Sequence, residues 1–410
     1  MNALRDTLHR YVDEGRVPGA VGLVARGDDV EVVTAGSLDT GGTAPMARDS
    51  LFRIASLTKP VTAAAVLMLV EEGRLALDAP VERWLPELAE PDVVRTPDAP
   101  VDDVVPAARP ITVEDLLSSR TGWGFPDDFS LPAVRSLFTV QKDGRALQDW
   151  PDPDTWLGLL ARVPMLHHPG QAWLYGTSSD LQGILVARAS GRTLPDFLAE
   201  RVFEPLGMHD TAFEVPETKR HRFTSSYSPS PDGTLQPADT PDGQWSRLPR
   251  FHSGGGGLVS TADDWLAFAR MLLHGGEGNG RRLLTRASVS RMTGNHLTAE
   301  QRARATLFLE GQGWGYGGQV DVTPADPWNV PGRYGWVGGT GTTAHIVPAT
   351  GTVAILLTQV AMENPTPTPL MRDFWRSVAA PSSQAGSWIF RSDHAGLAGP
   401  GPRPDPDERP

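Results

Sequence analysis

Apolar positions along the chain recur with two different periods. Leu4, Leu8, Tyr11 and Val12 fall at helical spacing and predict an amphipathic helix at the start of the chain. Ala20–Val24 and Val30–Thr34 are short β-rich runs, and Arg26-Gly27-Asp28-Asp29 between them reads as a hairpin turn. Leu57 to Glu72 forms a strongly apolar helical stretch, closed by Gly73 as a C-cap. Further helices are expected at Val113–Ser118, Ser179–Ala189 and Thr261–Leu273. Thr342–Val347 and Thr352–Leu357 predict two strands around the turn Pro348-Ala349-Thr350-Gly351, and Pro369–Val378 predicts a closing helix.

Strands at both ends with helical matter between them predict an α+β fold. Its antiparallel sheet would be assembled from both termini and flanked by helices, with a helical lobe inserted in the middle. On this reading residues 1–80 and 251–380 build the sheet lobe and 81–250 the mainly helical one, with the cleft between them. Residues 381–410, ending in Gly-Pro-Arg-Pro-Asp-Pro and a few charged residues, read as a disordered tail.

Composition then narrows the chemistry. The 410 residues contain no cysteine, which excludes disulfides, thiol catalysis and Cys-ligated metal. A net charge of −12 argues against nucleic acid or an anionic membrane as partner. No run approaches the ~18 apolar residues of a membrane span, and no apolar signal core follows Met1, so a cytoplasmic protein is expected. The sequence carries no signal for an oligomeric state.

Lysine is scarce. Only Lys59, Lys142 and Lys219 occur, and the other 34 basic residues are arginine. Where this chain needs only positive charge it uses arginine, so a retained lysine raises the question whether its position needs an amine able to give up its proton. Lys59 closes Ser56-Leu57-Thr58-Lys59 at the start of the apolar helix. Serine and lysine three apart share a helix face, so the amine reaches the hydroxyl and can serve as its base. The helix N-terminus adds free N–H groups that favour an oxyanion, and Pro60 fits an early turn where a missing N–H costs little. The spacing alone also suits an N-cap serine beside a solvated lysine. The lysine scarcity and the apolar helix behind Lys59 favour catalysis.

The chain resembles the serine β-lactamase-like hydrolases: class C β-lactamases, D-alanyl-D-alanine peptidases and family VIII carboxylesterases. Phe52-Arg53-Ile54-Ala55-Ser56-Leu57-Thr58-Lys59 and Glu71-Glu72-Gly73-Arg74-Leu75-Ala76-Leu77-Asp78 look like the family's nucleophile helix and its exit. Ile111–Leu117 through Thr121-Gly122, His168-Pro169-Gly170, Glu204–Met208 and Gly256–Thr261 are similar to further family blocks, so the likeness spans roughly residues 1–375. It implies a β-lactamase/transpeptidase-like fold and an acyl-enzyme on Ser56, with Lys59 as its partner.

The same resemblance implies two further elements, both altered here. Tyr175-Gly176-Thr177 stands where the family has Tyr-x-Asn, so Tyr175 is expected to shuttle protons while Thr177 replaces the asparagine. Trp336-Val337-Gly338 stands where the family has Lys-Thr-Gly or His-x-Gly, and Gly339 is expected to complete the oxyanion hole with the Ser56 amide. Thr177, Trp336 and Gly338 are the expected substrate-contacting positions. Trp336 offers an apolar face in place of a charge, and Thr177 lacks the family's amide, so a neutral ester is favoured over a lactam. Arg333, three residues upstream, is the candidate to restore a carboxylate clamp.

Other signals fall away. No Gly-x-Ser-x-Gly elbow and no His-Glu-x-x-His occur, and the adjacent His167-His168 point apart, so no metal is expected. Gly254–Gly257 lacks the Gly-Lys-Ser/Thr of a phosphate loop and reads as close backbone packing. Asp102-Asp103, Asp127-Asp128 and Asp263-Asp264 read as solvated or helix-capping pairs. The expectation is a cofactor-free serine hydrolase acting on a small-molecule ester or amide. Its alternatives are a β-lactamase or D-alanyl peptidase, an acyltransferase using the same intermediate, and a non-catalytic binding protein of the same fold.

Overall fold

Strand residues drawn from both ends of the chain meet in one sheet. The computed structural model describes residues 2–380 except Thr43 and Asp143, so the expected tail lies outside the described residues. Helix α1 (Asn2–Asp13) leads into the hairpin β1 (Gly19–Arg26) and β2 (Asp29–Gly36), after which α2 (Thr58–Glu71) begins. The middle of the chain contributes α3 (Thr177–Ser190) and α4 (Ala262–Leu273). Five more strands follow: β3 (Gly313–Trp314), β4 (Gln319–Val320), β5 (Tyr334–Gly338), β6 (Thr342–Val347) and β7 (Thr352–Thr358), with α5 (Pro369–Ala379) last.

The sheet order is β3-β4-β5-β6-β7-β1-β2, antiparallel throughout. Leu23 of β1 lies opposite Ile355 of β7 on one side and Val32 of β2 on the other. β7 is buried at every position, so both faces of the sheet are covered there and its sequence reads as an unbroken apolar run. α1 and α5 cover one face: a side chain at Gly22 would strike Leu8 at 2.9 Å and stand 3.7 Å from Phe374. The described residues up to Ala379 form one compact unit.

α2 is buried from Thr58 through Leu69, which is why its sequence shows no polar face. Residues 81–250 hold short helices together with two small ladders absent from the sequence reading. These pair Asp92–Val94 with Val104–Pro106, and Ser226–Pro229 with Leu235–Asp239. Strands this short, rich in Pro and Asp, carry no period long enough to read.

Candidate active site

The segment entering α2 is held from both sides. Phe52–Arg53 pairs with Val259–Ser260, and the Ile54 N–H donates to Leu258 O at 3.1 Å. The buried Arg53 guanidinium donates to Asp239 at 2.6 Å and lies 4.0 Å from the Phe223 ring centroid. A single 3-10 turn, Ala55–Leu57, then runs into α2. Ala55 has φ +44°, a left-handed conformation that costs a non-glycine residue about 1 kcal/mol. That strain sits one residue before Ser56, where the surrounding pairing holds it in place.

Two groups converge on the serine, and a third steadies one of them. Lys59 Nζ donates to Ser56 Oγ at 3.0 Å, and the Tyr175 hydroxyl donates to the same oxygen at 2.8 Å. The Trp336 indole N–H donates to the Tyr175 hydroxyl at 2.8 Å. Tyr175 is positioned by backbone pairing with Phe125, at 2.9 and 3.0 Å, just before α3 begins. Lys59 is 4% exposed, and its ammonium lies 4.8 Å from the Tyr175 ring centroid.

A second set of residues was invisible in the sequence. Lys59 Nζ also donates to the Gly255 carbonyl at 2.6 Å. The glycine run is where close packing was expected: a side chain at Gly254 would stand 2.5 Å from Ser179 O. Buried Asp180 fastens this loop, accepting from Ser253 Oγ at 2.6 Å, the Gly255 N–H at 3.0 Å and Gln141 Nε2 at 2.8 Å. Asp180 had no local signal beyond its place on α3; only the folding of residue 255 against it gives it a task.

Gly338 lies at the end of β5, against the nucleophile turn. A side chain there would stand 2.2 Å from Thr342 Oγ1 and 2.5 Å from Ile54 O. The absence of a side chain at this glycine lets the strand approach the chain just before Ser56. Gly339, one residue on, is exposed. Among the described residues, neither its amide nor that of Ser56 has an acceptor in the protein.

Three sequence expectations need correction. Trp336 is 2% exposed, so it presents no open apolar face; its polar edge serves Tyr175. Thr177 is fully buried as the first residue of α3, and its Oγ1 makes no hydrogen bond to Ser56, Lys59 or Tyr175. Arg333 is 4% exposed, 3.4 Å from Asp321 and 4.9 Å from the Trp375 ring centroid. Along an extended strand, residues three apart point to opposite faces, which sends Arg333 away from the side used by Trp336. Burial lowers the Arg333 pKa against the opposing pull of Asp321, and burial raises that of Asp321. The aspartate pairs sort as caps and ion pairs: Asp127 accepts from Leu307 N, Asp128 from Ser130 N, and Asp263 binds Arg48. Among the described residues no cluster of three metal-ligating side chains occurs.

A beta-lactamase family model matches residues 4–373. The chain belongs to the beta-lactamase family. Protein Rv1367c of Mycobacterium tuberculosis is 36% identical over 368 residues, covering 86% of this chain and 88% of that one. Esterase EstB of Burkholderia gladioli is 33% identical over 379 residues, covering 85% and 88%. The solved structure of EstCE1, described as a hydrolase with promiscuous acyltransferase activity, matches with a TM-score of 0.76 at 25% identity, over 92% of this chain and 98% of its own. This beta-lactamase-family protein therefore has the expected α+β fold, and the family and its esterase relatives mark it as a serine hydrolase.

Proposed function

We propose that this protein hydrolyses carboxylic esters through an acyl-enzyme on Ser56. The observation that carries the reading is the convergence on one oxygen: Ser56 Oγ has Lys59 at 3.0 Å and Tyr175 at 2.8 Å. Ser56 attacks the ester carbonyl, and its proton passes through the Lys59–Tyr175 pair to the leaving alkoxide, which departs as the alcohol. The Ser56 and Gly339 amides hold the oxyanion of the tetrahedral intermediate. Water, activated by the same pair, then releases the carboxylic acid and restores Ser56.

An ester is preferred to a lactam because the positions weighed for a carboxylate clamp supply no available cation. Trp336 is neutral, and Arg333 is spent on Asp321 in the core. Acyl transfer to an added alcohol is a second reading, favoured by the likeness to EstCE1. A non-catalytic binding role is disfavoured by the intact hydrogen-bonded Ser56, Lys59 and Tyr175.

The test compares kcat/KM for a short aryl acetate, a chromogenic cephalosporin and a D-Ala-D-Ala peptide, with fluorophosphonate labelling of Ser56 alongside. Ester turnover well above the other two is expected. A preference for the lactam or the peptide sinks the ester reading, and a folded protein inert to all three and to the label sinks the hydrolase reading.

A further inference from the structure

Large aromatic side chains are costly to leave in water, and monomeric proteins scatter exposed apolar residues singly. Among the described residues, the only exposed large aromatics are Phe129, 37% exposed, and Phe138, 48% exposed, and they lie together. Their ring centroids are 6.2 Å apart. Phe125 bridges them, 6.1 Å from Phe129 and 4.7 Å from Phe138. Phe129 also meets Phe308 at 6.2 Å, and Phe308 stacks on the Tyr175 ring at 4.7 Å. Ring contacts thus run without a break from the exposed pair to the part-exposed Phe125 and, through the buried Phe308, to the tyrosine beside Ser56.

The surface is built rigidly. The Phe125 backbone pairs with that of Tyr175, and Asp127 accepts from Thr306 Oγ1 at 2.9 Å and Leu307 N at 3.1 Å. Asp127 thereby ties the turn that carries Phe308 to the segment that carries Phe125 and Phe129.

We propose that this aromatic shelf receives the alcohol half of the substrate, so that the enzyme selects esters of bulky apolar alcohols such as arylmethanols. The inference rests on the ester-hydrolase reading above. The leaving oxygen must come within hydrogen-bond reach of Tyr175 to collect its proton. The carbonyl oxygen turns instead to the amides of Ser56 and Gly339. The carbon skeleton attached to the leaving oxygen is therefore the part of the ester that meets the rings reached from Tyr175. Its burial against Phe129 and Phe138 removes apolar area on both sides from water.

Two ester series separate this from other uses of the shelf. In the first the acyl group is acetyl and the alcohol grows from methyl through benzyl to 2-naphthylmethyl. In the second the alcohol is methyl and the acid grows from acetic through phenylacetic to 2-naphthylacetic. For the natural sequence, kcat/KM is expected to rise along the first series more steeply than along the second. In a Phe129→Ala/Phe138→Ala variant, the ratio of kcat/KM for 2-naphthylmethyl acetate over methyl acetate should fall at least ~10-fold. Both rings lie at the surface, a thermal melt confirms that the double variant is folded at the assay temperature, and a Phe138→Tyr variant should retain the ratio. A loss confined to the acid series, an equal loss on every ester or no loss at all overturns the proposal. Turnover of methyl acetate with no preference for ring-bearing alcohols overturns it alone. Failure to turn over any ester overturns the hydrolase reading as well.

Discussion

The indole N–H of Trp336 and the hydroxyl of Tyr175 are joined at 2.8 Å, with tryptophan the donor. Tyrosine is left with one proton to direct, and it points that proton at Ser56. A neutral residue in the third family element thus reaches the chemistry through the tyrosine, not through a substrate charge.

Trp336→Phe keeps a ring against Trp314, now 4.8 Å from centroid to centroid, but deletes the donor. One hydrogen bond of this kind is worth about 1–1.5 kcal/mol, so kcat should fall by ~10-fold with KM little changed. Steady-state kinetics on an aryl acetate checks this, and a rise in KM with kcat intact would mean that Trp336 touches substrate after all.

Lys59→Arg keeps the charge and cannot give up its proton. A loss of at least ~10²-fold in kcat is expected, the lower range for acid–base catalysis, with fluorophosphonate labelling slowed in parallel. A thermal melt controls for crowding at a buried site. A well-folded arginine variant with near-natural rates would remove Lys59 from the mechanism.

Asp180 should act through Gly255. Asp180→Ala strands three donors in a buried place, which should cost about 2–4 kcal/mol of stability, and it releases the loop that holds Lys59. Asp180→Asn should be milder, because the Gln141 Oε1, buried without a partner, can turn to accept from the new amide. Melting temperature should order natural, Asn, Ala. At a temperature where all are folded, kcat should follow that order while KM stays level. Rates unaffected in a folded alanine variant would leave Asp180 a purely structural residue.

Stability should weaken in mild acid. Burial, aided by nearby Arg333, holds the His345 imidazole well below its ordinary value, and burial also lowers His167, His252 and His296. The unfolded chain protonates these groups below pH ~6.5 while the folded protein keeps His345 neutral. The stabilisation is therefore complete above that pH and is lost as pH falls, by up to about 1.4 kcal/mol per pH unit for His345 alone. Urea unfolding at pH 7.5, 6.5 and 5.5 should show the decline, and His345→Gln should flatten it whatever its absolute stability. An unaltered slope in that variant would assign the decline to the other histidines.

Residues close in the chain told their own story. Ser56 lies in the 3-10 turn that runs into α2, three residues before Lys59, so their meeting follows from local helical geometry, and the scarcity of lysine said which lysine to examine. The strands 19–26 and 352–358 and the terminal helices were legible because each buries a regular set of apolar positions. Tyr175 and Trp336 were found through resemblance, since neither carries a local pattern of its own.

What spacing could not decide was which distant groups meet, and on which face. Gly255 lies 196 residues from Lys59, and its carbonyl reaches the amine only because Gly254 packs against α3 and Asp180 ties the loop down. Arg333 and Trp336 are near neighbours in sequence, yet strand alternation and the partner Asp321 send one into the core while the other reaches Tyr175. Local order follows from dihedral periods written into a few consecutive residues. Register, facing and long-range polar contacts are set by how whole elements pack, and no short stretch of sequence holds that information.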